Sequence, residues 1–155
     1  MQKIEFIKMH GLGNDFVIID NRQNKVEISK DIINKLSDRK SGAGCDQLIT
    51  INSSSNSVED IRIKIFNPNG DRAEACGNGT RCVAKLLFAE SDKTSINIKS
   101  DAGILHATKK GKDVCVNLGQ LSINWEKIPL SQDVDTLNLP INIENINNTW
   151  IRNGV

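Results

Sequence analysis

The segment of this sequence best suited to chemistry is Ala75-Cys76-Gly77-Asn78-Gly79-Thr80-Arg81. Because glycine has no Cβ, the backbone on either side of Asn78 can approach a bound molecule closely. A helix is predicted from about Asn78 to Glu90, so Cys76 lies at its start, where several backbone N–H groups have no intrahelical partner. These donors and the positive end of the helix dipole favour a bound anion such as a carboxylate.

The same electrostatic field favours the thiolate form of a cysteine at a helix start. Cys76 is therefore predicted to be a catalytic thiol, either a nucleophile or a general acid/base. A buried cysteine beside a glycine-rich turn would have the same spacing, so local spacing leaves both interpretations open. A nucleophilic cysteine normally needs a histidine base, and neither His10 nor His106 can be tied to Cys76 from the sequence.

Neutral amide side chains fall in predicted turns or at the ends of predicted elements. Such amides can orient the amine and carboxylate of a zwitterionic substrate without adding net charge. Asparagine is also a common turn residue, so each position alone has a structural explanation. Four of them near glycines in one short domain indicate a binding site, and they are Asn14, Gln47, Asn67 and Asn78.

The other three cysteines have simpler explanations. Cys82 lies further along the predicted helix among apolar residues, which predicts a place in the core. Cys115 alternates with valines on a predicted strand and is expected to be structural or at the surface. Cys45, in a glycine-rich loop, is expected to be inert. Because the sequence shows no secretion signal, free thiols are predicted. It has no C-x-x-C pair, so no zinc site is predicted.

Short strands and two helices would position these residues. The first helix is predicted from the N-cap Ser29 to about Lys40, and the second follows Cys76. A glycine-bearing turn, 10–15, separates the first two strands, and a β-meander follows the second helix. The predicted strands are 4–8, 16–20, 48–51, 61–66 and three meander strands around Ile96, Leu105 and Val114. The fold class is therefore α/β (α+β), with a mixed and largely antiparallel sheet.

The composition excludes several classes of function. The chain has 20 basic and 19 acidic side chains, a net charge of +1 and 4% aromatic residues. We therefore expect no nucleic-acid partner and no membrane partner. The start of the chain lacks an apolar run long enough for a signal peptide, which predicts a cytoplasmic location.

The length suits one domain with part of a second. Residues 1–118 are predicted to form a domain that carries Cys76. From Gly119 the pattern loosens, and 119–155 is predicted to be a crossover and the start of a second, truncated domain, with a new strand beginning at 151–155.

Four stretches together resemble diaminopimelate epimerases, in both order and spacing. The resemblance extends to about Leu118 and more loosely beyond. The stretches are Met9-His10-Gly11-Leu12-Gly13-Asn14-Asp15-Phe16, Gly44-Cys45-Asp46-Gln47, Phe66-Asn67-Pro68-Asn69-Gly70 and Ala75-Cys76-Gly77-Asn78-Gly79-Thr80-Arg81-Cys82.

The resemblance implies an enzyme that interconverts LL- and meso-2,6-diaminopimelate, in the route to lysine and peptidoglycan, without cofactor or metal. It implies that two cysteines face the α-carbon from opposite sides, and that Cys76 is one of them. Gly77 and Asn78 would bind the reacting carboxylate through backbone N–H groups. The side chains that would orient the substrate are Asn14, Gln47 and Asn67. The fold implied is a sheet curled around the helix after Cys76, and the intact protein is expected to be a homodimer.

This sequence departs from the family in length. Family members are nearly twice as long, and their second cysteine lies in a second, similar domain. We therefore expect these 155 residues to be a fragment or a truncated product that does not epimerise diaminopimelate alone. Two alternatives stay open: a related cofactor-independent isomerase with another substrate, and a non-catalytic remnant that binds a small zwitterion or a protein. Phenazine-pathway isomerases share the fold but lack the cysteine signature, so Cys76 argues against them.

Overall fold

A computed structural model describes residues 3–23, 26–128 and 130–139. Eight strands form one mixed sheet in the order β1-β2-β3-β4-β6-β7-β8, and β5 pairs with β4 outside this path. The β2/β3 and β4/β6 pairs are parallel, and all the other pairs are antiparallel. The strands are β1 (Ile7–Gly11), β2 (Asn14–Asp20), β3 (Gln47–Ser53), β4 (Ile61–Phe66), β5 (Arg72–Ala73), β6 (Ser95–Ser100), β7 (Gly103–Lys110) and β8 (Asp113–Asn117).

Two helices cover the two faces of the sheet. Helix α1 (Lys30–Ser37) packs on one face, and helix α2 (Gly77–Glu90) packs on the other, around which the sheet curls. Side chains alternate between the faces along each strand. In β2, Phe16 and Ile18 therefore belong to the α2 core, whereas Val17 and Ile19 belong to the α1 core. This is the fold class predicted from the sequence.

Most element predictions are confirmed. Ser29 caps α1, because its hydroxyl accepts a hydrogen bond from the Ile32 N–H at 3.3 Å. The β-meander and the helix after Cys76 are present. Helix α1 ends earlier than predicted, at Ser37, and the short strand β5 was not predicted.

The first strand begins three residues later than predicted. It is an edge strand that pairs only with β2, and their pairing ends at Ile7 opposite Ile18. The two strands are joined by Leu12 and Gly13, which have φ angles of 54° and 85°. Two consecutive positive φ values define the two-residue turn that matches the twist of a β-hairpin.

The chain divides into two units with a boundary between Leu118 and Gly119. The second unit contains a single-turn 3₁₀ helix, Trp125–Lys127. The predicted strand at 151–155 lies outside the described residues, and the truncated second domain stays a prediction. None of the described helices combines the length and apolar character needed to cross a membrane.

Gly79 permits close contact between α2 and the sheet. A Cβ at this position would lie 2.6 Å from Ile49 Cδ1 and 3.3 Å from Phe16 Cε1. Both side chains are fully buried and cannot move aside without disturbing the core. We expect Gly79→Ala to lower the free energy of unfolding by about 1–3 kcal/mol, measured by urea denaturation.

Gly11→Ala is the matched control. Its added Cβ would meet Asn78 at ordinary contact distances, 3.5 Å or more, and Gly11 does not have a positive φ. We expect a change within about 0.5 kcal/mol. Equal losses in the two variants would contradict the packing explanation for Gly79.

The hairpin turn is strained at Leu12. Leu12 is 90% exposed and is the one non-glycine residue with positive φ among the described residues. That conformation costs an ordinary residue roughly 1–2 kcal/mol, and asparagine tolerates it better. We expect Leu12→Asn to raise the midpoint of thermal unfolding, with a gain of up to about 1 kcal/mol.

Leu121→Asn serves as the comparison for this prediction, because Leu121 is also an exposed leucine but has no positive φ. It should leave the midpoint unchanged. If the midpoint rose equally in both variants, the cause would be the loss of an exposed apolar side chain and not relief of strain in the turn.

Candidate active site

The predicted site residues lie where several elements begin or end, at one end of the sheet. Asn14 begins β2, Gln47 begins β3, and Asn67 directly follows β4. Because the three strands are in register and side chains alternate, these amides share the face that α2 covers. Cys76 lies immediately before α2, on the same face.

Cys76 is the N-cap of α2. Its backbone is extended, with φ −151° and ψ 105°, and its Sγ accepts a hydrogen bond from the Gly79 N–H at 3.4 Å. The Thr80 hydroxyl donates to the Cys76 carbonyl at 2.9 Å, which holds the cap against the first turn. A thiol therefore occupies the position that serine or aspartate usually holds at a helix start.

Asn14 provides the other contact to the thiol. The Cys76 thiol donates to Asn14 Oδ1, with 3.7 Å between Sγ and Oδ1. This bond favours the protonated thiol, whereas the bond from the Gly79 N–H favours the thiolate. Among the described residues, Cys76 makes these two side-chain hydrogen bonds and none to His10 or His106. The arrangement therefore does not support a Cys–His nucleophile.

Donors for an anion lie next to the thiol. The N–H groups of Gly77 and Asn78 belong to the first turn of α2 and have no intrahelical acceptor. The Asn78 side chain is turned back on the helix, where its Oδ1 accepts from Arg81. A Cβ at Gly77 would lie 3.2 Å from Leu118 Cδ1, so the Leu118 side chain covers this glycine.

Gln47 and Asn67 form a second pair of amides. Gln47 Nε2 donates to Asn67 Oδ1 at 3.1 Å. Gln47 Oε1 is buried and accepts no hydrogen bond from the described part of the chain. A buried acceptor without a donor is costly, so this oxygen is available to a ligand's N–H.

A cluster of charges behind the amides was not predicted. Arg39 makes a bidentate contact with Asp15, at 2.7 and 3.1 Å, and reaches Asp46 Oδ1 at 2.7 Å. Lys8 Nζ lies 2.9 Å from Asp15 Oδ2. The Arg39 guanidinium, assisted by Lys8, holds the pKa of Asp15 well below its usual range. The Asn14 side chain, followed by the Asp15 N–H, lowers the pKa of Asp46.

Both carboxylates are therefore ionised at neutral pH. The resemblance contained Asp15 and Asp46 but gave neither a role. No local pattern marks them, because their partner Arg39 lies 24 and 7 residues away in the chain.

The remaining cysteines differ from Cys76. Cys82 is buried in the α2 core, as predicted, and burial raises the pKa of its thiol. Cys45 is buried, and its thiol donates to the Ser37 hydroxyl at 3.4 Å. Cys115 is exposed on β8. All four thiols are free, and the described residues contain no group of three or more metal-binding side chains.

Solved structures with low sequence identity share this fold. A phenazine biosynthesis protein of the PhzF family from Bacillus anthracis aligns with a TM-score of 0.55 and 22% identity, over 75% of this chain and 40% of its own. A probable proline racemase from Agrobacterium radiobacter K84 aligns with a TM-score of 0.57 and 13% identity, over 74% of this chain and 41% of its own. At these identities the comparison supports the fold alone.

Relatives with higher sequence identity show the family as well as the fold. The diaminopimelate epimerase of Pelagibacter ubique is 46% identical over 98% of this chain and 55% of its own length. That of Gluconobacter oxydans is 41% identical over 89% of this chain and 52% of its own. The chain thus spans about half the length of the curated relatives it matches. The family model described as "Diaminopimelate epimerase" matches residues 6–123. The chain belongs to the diaminopimelate epimerase family.

Proposed function

We propose that this domain binds one amino-acid end of 2,6-diaminopimelate and that Cys76 transfers its α-proton. The observation that carries the proposal is the position of Cys76 Sγ at the start of α2, between Asn14 Oδ1 and the Gly79 N–H. The N–H groups of Gly77 and Asn78, which have no intrahelical acceptor, lie in the same turn. A carboxylate bound there would hold its α-carbon beside the thiol.

The chemistry needs both a base and a stabilised anion. As a thiolate, Cys76 removes the α-proton and becomes a thiol, and the electron pair of the C–H bond remains on the substrate. The helix N-terminus stabilises the negative charge that spreads onto the carboxylate. Epimerisation requires a second acid to return a proton to the opposite face, a role that family resemblance gives to a second cysteine outside these residues. Reaction in the other direction requires Cys76 to start as the thiol.

The amides would orient the substrate. Gln47 Oε1, which is buried and has no donor in the described part of the chain, can accept a hydrogen bond from a substrate ammonium. Asn67 fixes the amide by accepting from Gln47 Nε2. Asn14, whose Oδ1 contacts the Cys76 thiol, would also help to orient the substrate. No cofactor or metal is required by this mechanism. A cytoplasmic location and a homodimer of the intact protein stay predictions.

The first prediction from this proposal concerns exchange at the α-carbon. We expect the chain to incorporate deuterium slowly from D₂O into one of the LL and meso isomers with retention, because a single thiol can remove and return a proton on one face. ¹H NMR of the substrate α-proton measures it. Cys76→Ala should abolish the exchange, whereas Cys115→Ala should retain it, because Cys115 is exposed on β8.

The exchange experiment also separates the two alternatives. Binding of diaminopimelate without exchange in either isomer would indicate the non-catalytic remnant. Exchange into another amino acid but not into diaminopimelate would indicate a related isomerase with a different substrate.

The second prediction concerns turnover. We expect no net conversion of LL- to meso-diaminopimelate by the 155-residue chain, because the family resemblance places the acid for the opposite face of the α-carbon, a second cysteine, outside these residues. Chiral chromatography of the isomers measures the conversion, with a complete family member as the positive control. Normal turnover by this chain would show that the second acid lies within these 155 residues.

A further inference from the structure

The amide of Asn14 has a defined orientation. Its Nδ2 donates to Asp46 Oδ2 at 2.9 Å, and its Oδ1 accepts from the Cys76 thiol. An ionised carboxylate can only accept hydrogen bonds, so the donor end of the amide must face Asp46. The acceptor end must then face Cys76.

Asp46 is itself held from two sides. Its Oδ2 also accepts from the Asp15 N–H at 3.0 Å, and its Oδ1 accepts from Arg39 Nη2 at 2.7 Å. The Asp46 N–H in turn donates to Asp15 Oδ1 at 2.9 Å. Because both carboxylate oxygens are engaged, the carboxylate cannot rotate away from Asn14 without losing charge-assisted bonds.

We propose that Asp46 is a positioning residue that fixes the Asn14 amide, so that Oδ1 instead of Nδ2 faces the Cys76 thiol. The proposal rests on the proposed acid/base role of Cys76. Asp46 makes no hydrogen bond to Cys76 and acts through Asn14.

The orientation matters because the two ends of the amide have opposite effects on sulfur. Oδ1 accepts from the thiol and opposes the thiolate, whereas Nδ2 would donate to the thiolate and stabilise it. The Gly79 N–H already stabilises the thiolate. With Oδ1 in place, the two contacts have opposite character, because one accepts from the thiol and the other donates to sulfur. A turned amide would add a second donor to sulfur and disfavour the thiol that must donate in the reverse direction.

Other ionisable groups surround Cys76. Cys82 lies behind it on α2 and interacts electrostatically with it. Arg81, on the same helix, is bonded to Asn78. Asp15 shares Arg39 with Asp46 on the β2 side. None of these three groups is itself substituted in the Asp46 variants. Asp15 and Arg39 each lose one contact in Asp46→Ala, which is why the comparison with Asp46→Asn and the cycle with Asn14 are needed.

The test is the reactivity of Cys76 toward iodoacetamide as a function of pH, followed by peptide mass spectrometry. Rates are normalised to their high-pH plateau, which removes differences in access. In Asp46→Ala the Asn14 amide can turn Nδ2 toward sulfur, so we expect alkylation at pH 7 to be about fivefold faster, as for the loss of one net hydrogen bond. Exposed Cys115 provides the internal reference in the same digest.

Asp46→Asn separates orientation from charge. Its side-chain oxygen can still accept from Asn14 Nδ2, although the negative charge is gone. We expect its Cys76 rate to lie within about twofold of the unmodified chain, because one hydrogen bond keeps the amide in place. Equal acceleration in Asp46→Asn and Asp46→Ala would overturn the proposal, because charge alone would then explain the effect.

A double-mutant cycle tests the route through Asn14. When Asn14 is already alanine, Asp46→Ala should not change the Cys76 rate further. A full Asp46 effect in the Asn14→Ala chain would overturn the proposal. Asp20→Asn is the matched control, because Asp20 also pairs with an arginine, Arg22, but at the other end of β2. It should leave the Cys76 rate unchanged.

A measurement on the unmodified chain covers the case in which Asp46→Ala does not fold. The side-chain amide signals of Asn14 in ¹⁵N NMR should shift with protonation of the Asp46 carboxyl in acid. Constant Asn14 signals through that titration would overturn the proposal. Neither readout requires turnover or bound diaminopimelate, so this inference can fail while the proposed function holds, and the reverse.

Discussion

The contact between the first turn of α2 and the sheet is the constraint on which the rest of the site depends. Gly79 lies so close to Ile49 and Phe16 that any side chain there would displace one of them. This contact holds the start of the helix against the sheet, at the end where β2 and β3 begin. Cys76 caps the same turn, so the packing of the core and the position of the thiol have one origin.

The sheet positions site residues because side chains alternate between its two faces along each strand. On the face covered by α2, strands β2, β3 and β4 carry buried apolar side chains along most of their length. At the site end of each strand, the next position on that face is an amide, namely Asn14, Gln47 or Asn67. On this face, apolar side chains therefore give way to hydrogen-bonding amides at one end of the sheet, while the side chains keep the same alternation. A polar substrate can be held there by rigid elements.

The sequence was sufficient to predict the features that depend on neighbouring residues. Ser29 and Cys76 as helix starts, the buried alternation of β4 and the antiparallel meander all follow from local spacing. The strand order could not be predicted in the same way, because β4 pairs in parallel with β6 across the intervening helix. The short pair formed by β5 has no local signal either.

The same limit applies within the site. The candidate amides could be recognised in the sequence by residue type and position. The residues that hydrogen-bond to them could not. The Asn14–Asp46 bond joins residues 32 apart in the chain, and Arg39 reaches both Asp15 and Asp46 from the segment after α1. Carboxylates with arginine partners are common on protein surfaces, where they contribute little. Only the fold distinguishes the Arg39–Asp46 pair from such surface pairs, because it places Asp46 against the Asn14 amide, which contacts the Cys76 thiol.

The contact between Asn14 and the Cys76 thiol therefore depends on the register of the β1–β2 hairpin. Asn14 directly follows the two-residue turn at Leu12 and Gly13, and the pairing of Gly11 with Asn14 places both on the α2 face. A shift of one residue would move Asn14 to the opposite face and bring Asp15 towards Cys76. A carboxylate there would bring a negative charge to sulfur, whereas the neutral Asn14 amide oxygen accepts a hydrogen bond from the thiol and the Gly79 N–H donates one to sulfur. The strained turn thus helps to place the Asn14 amide against the Cys76 thiol.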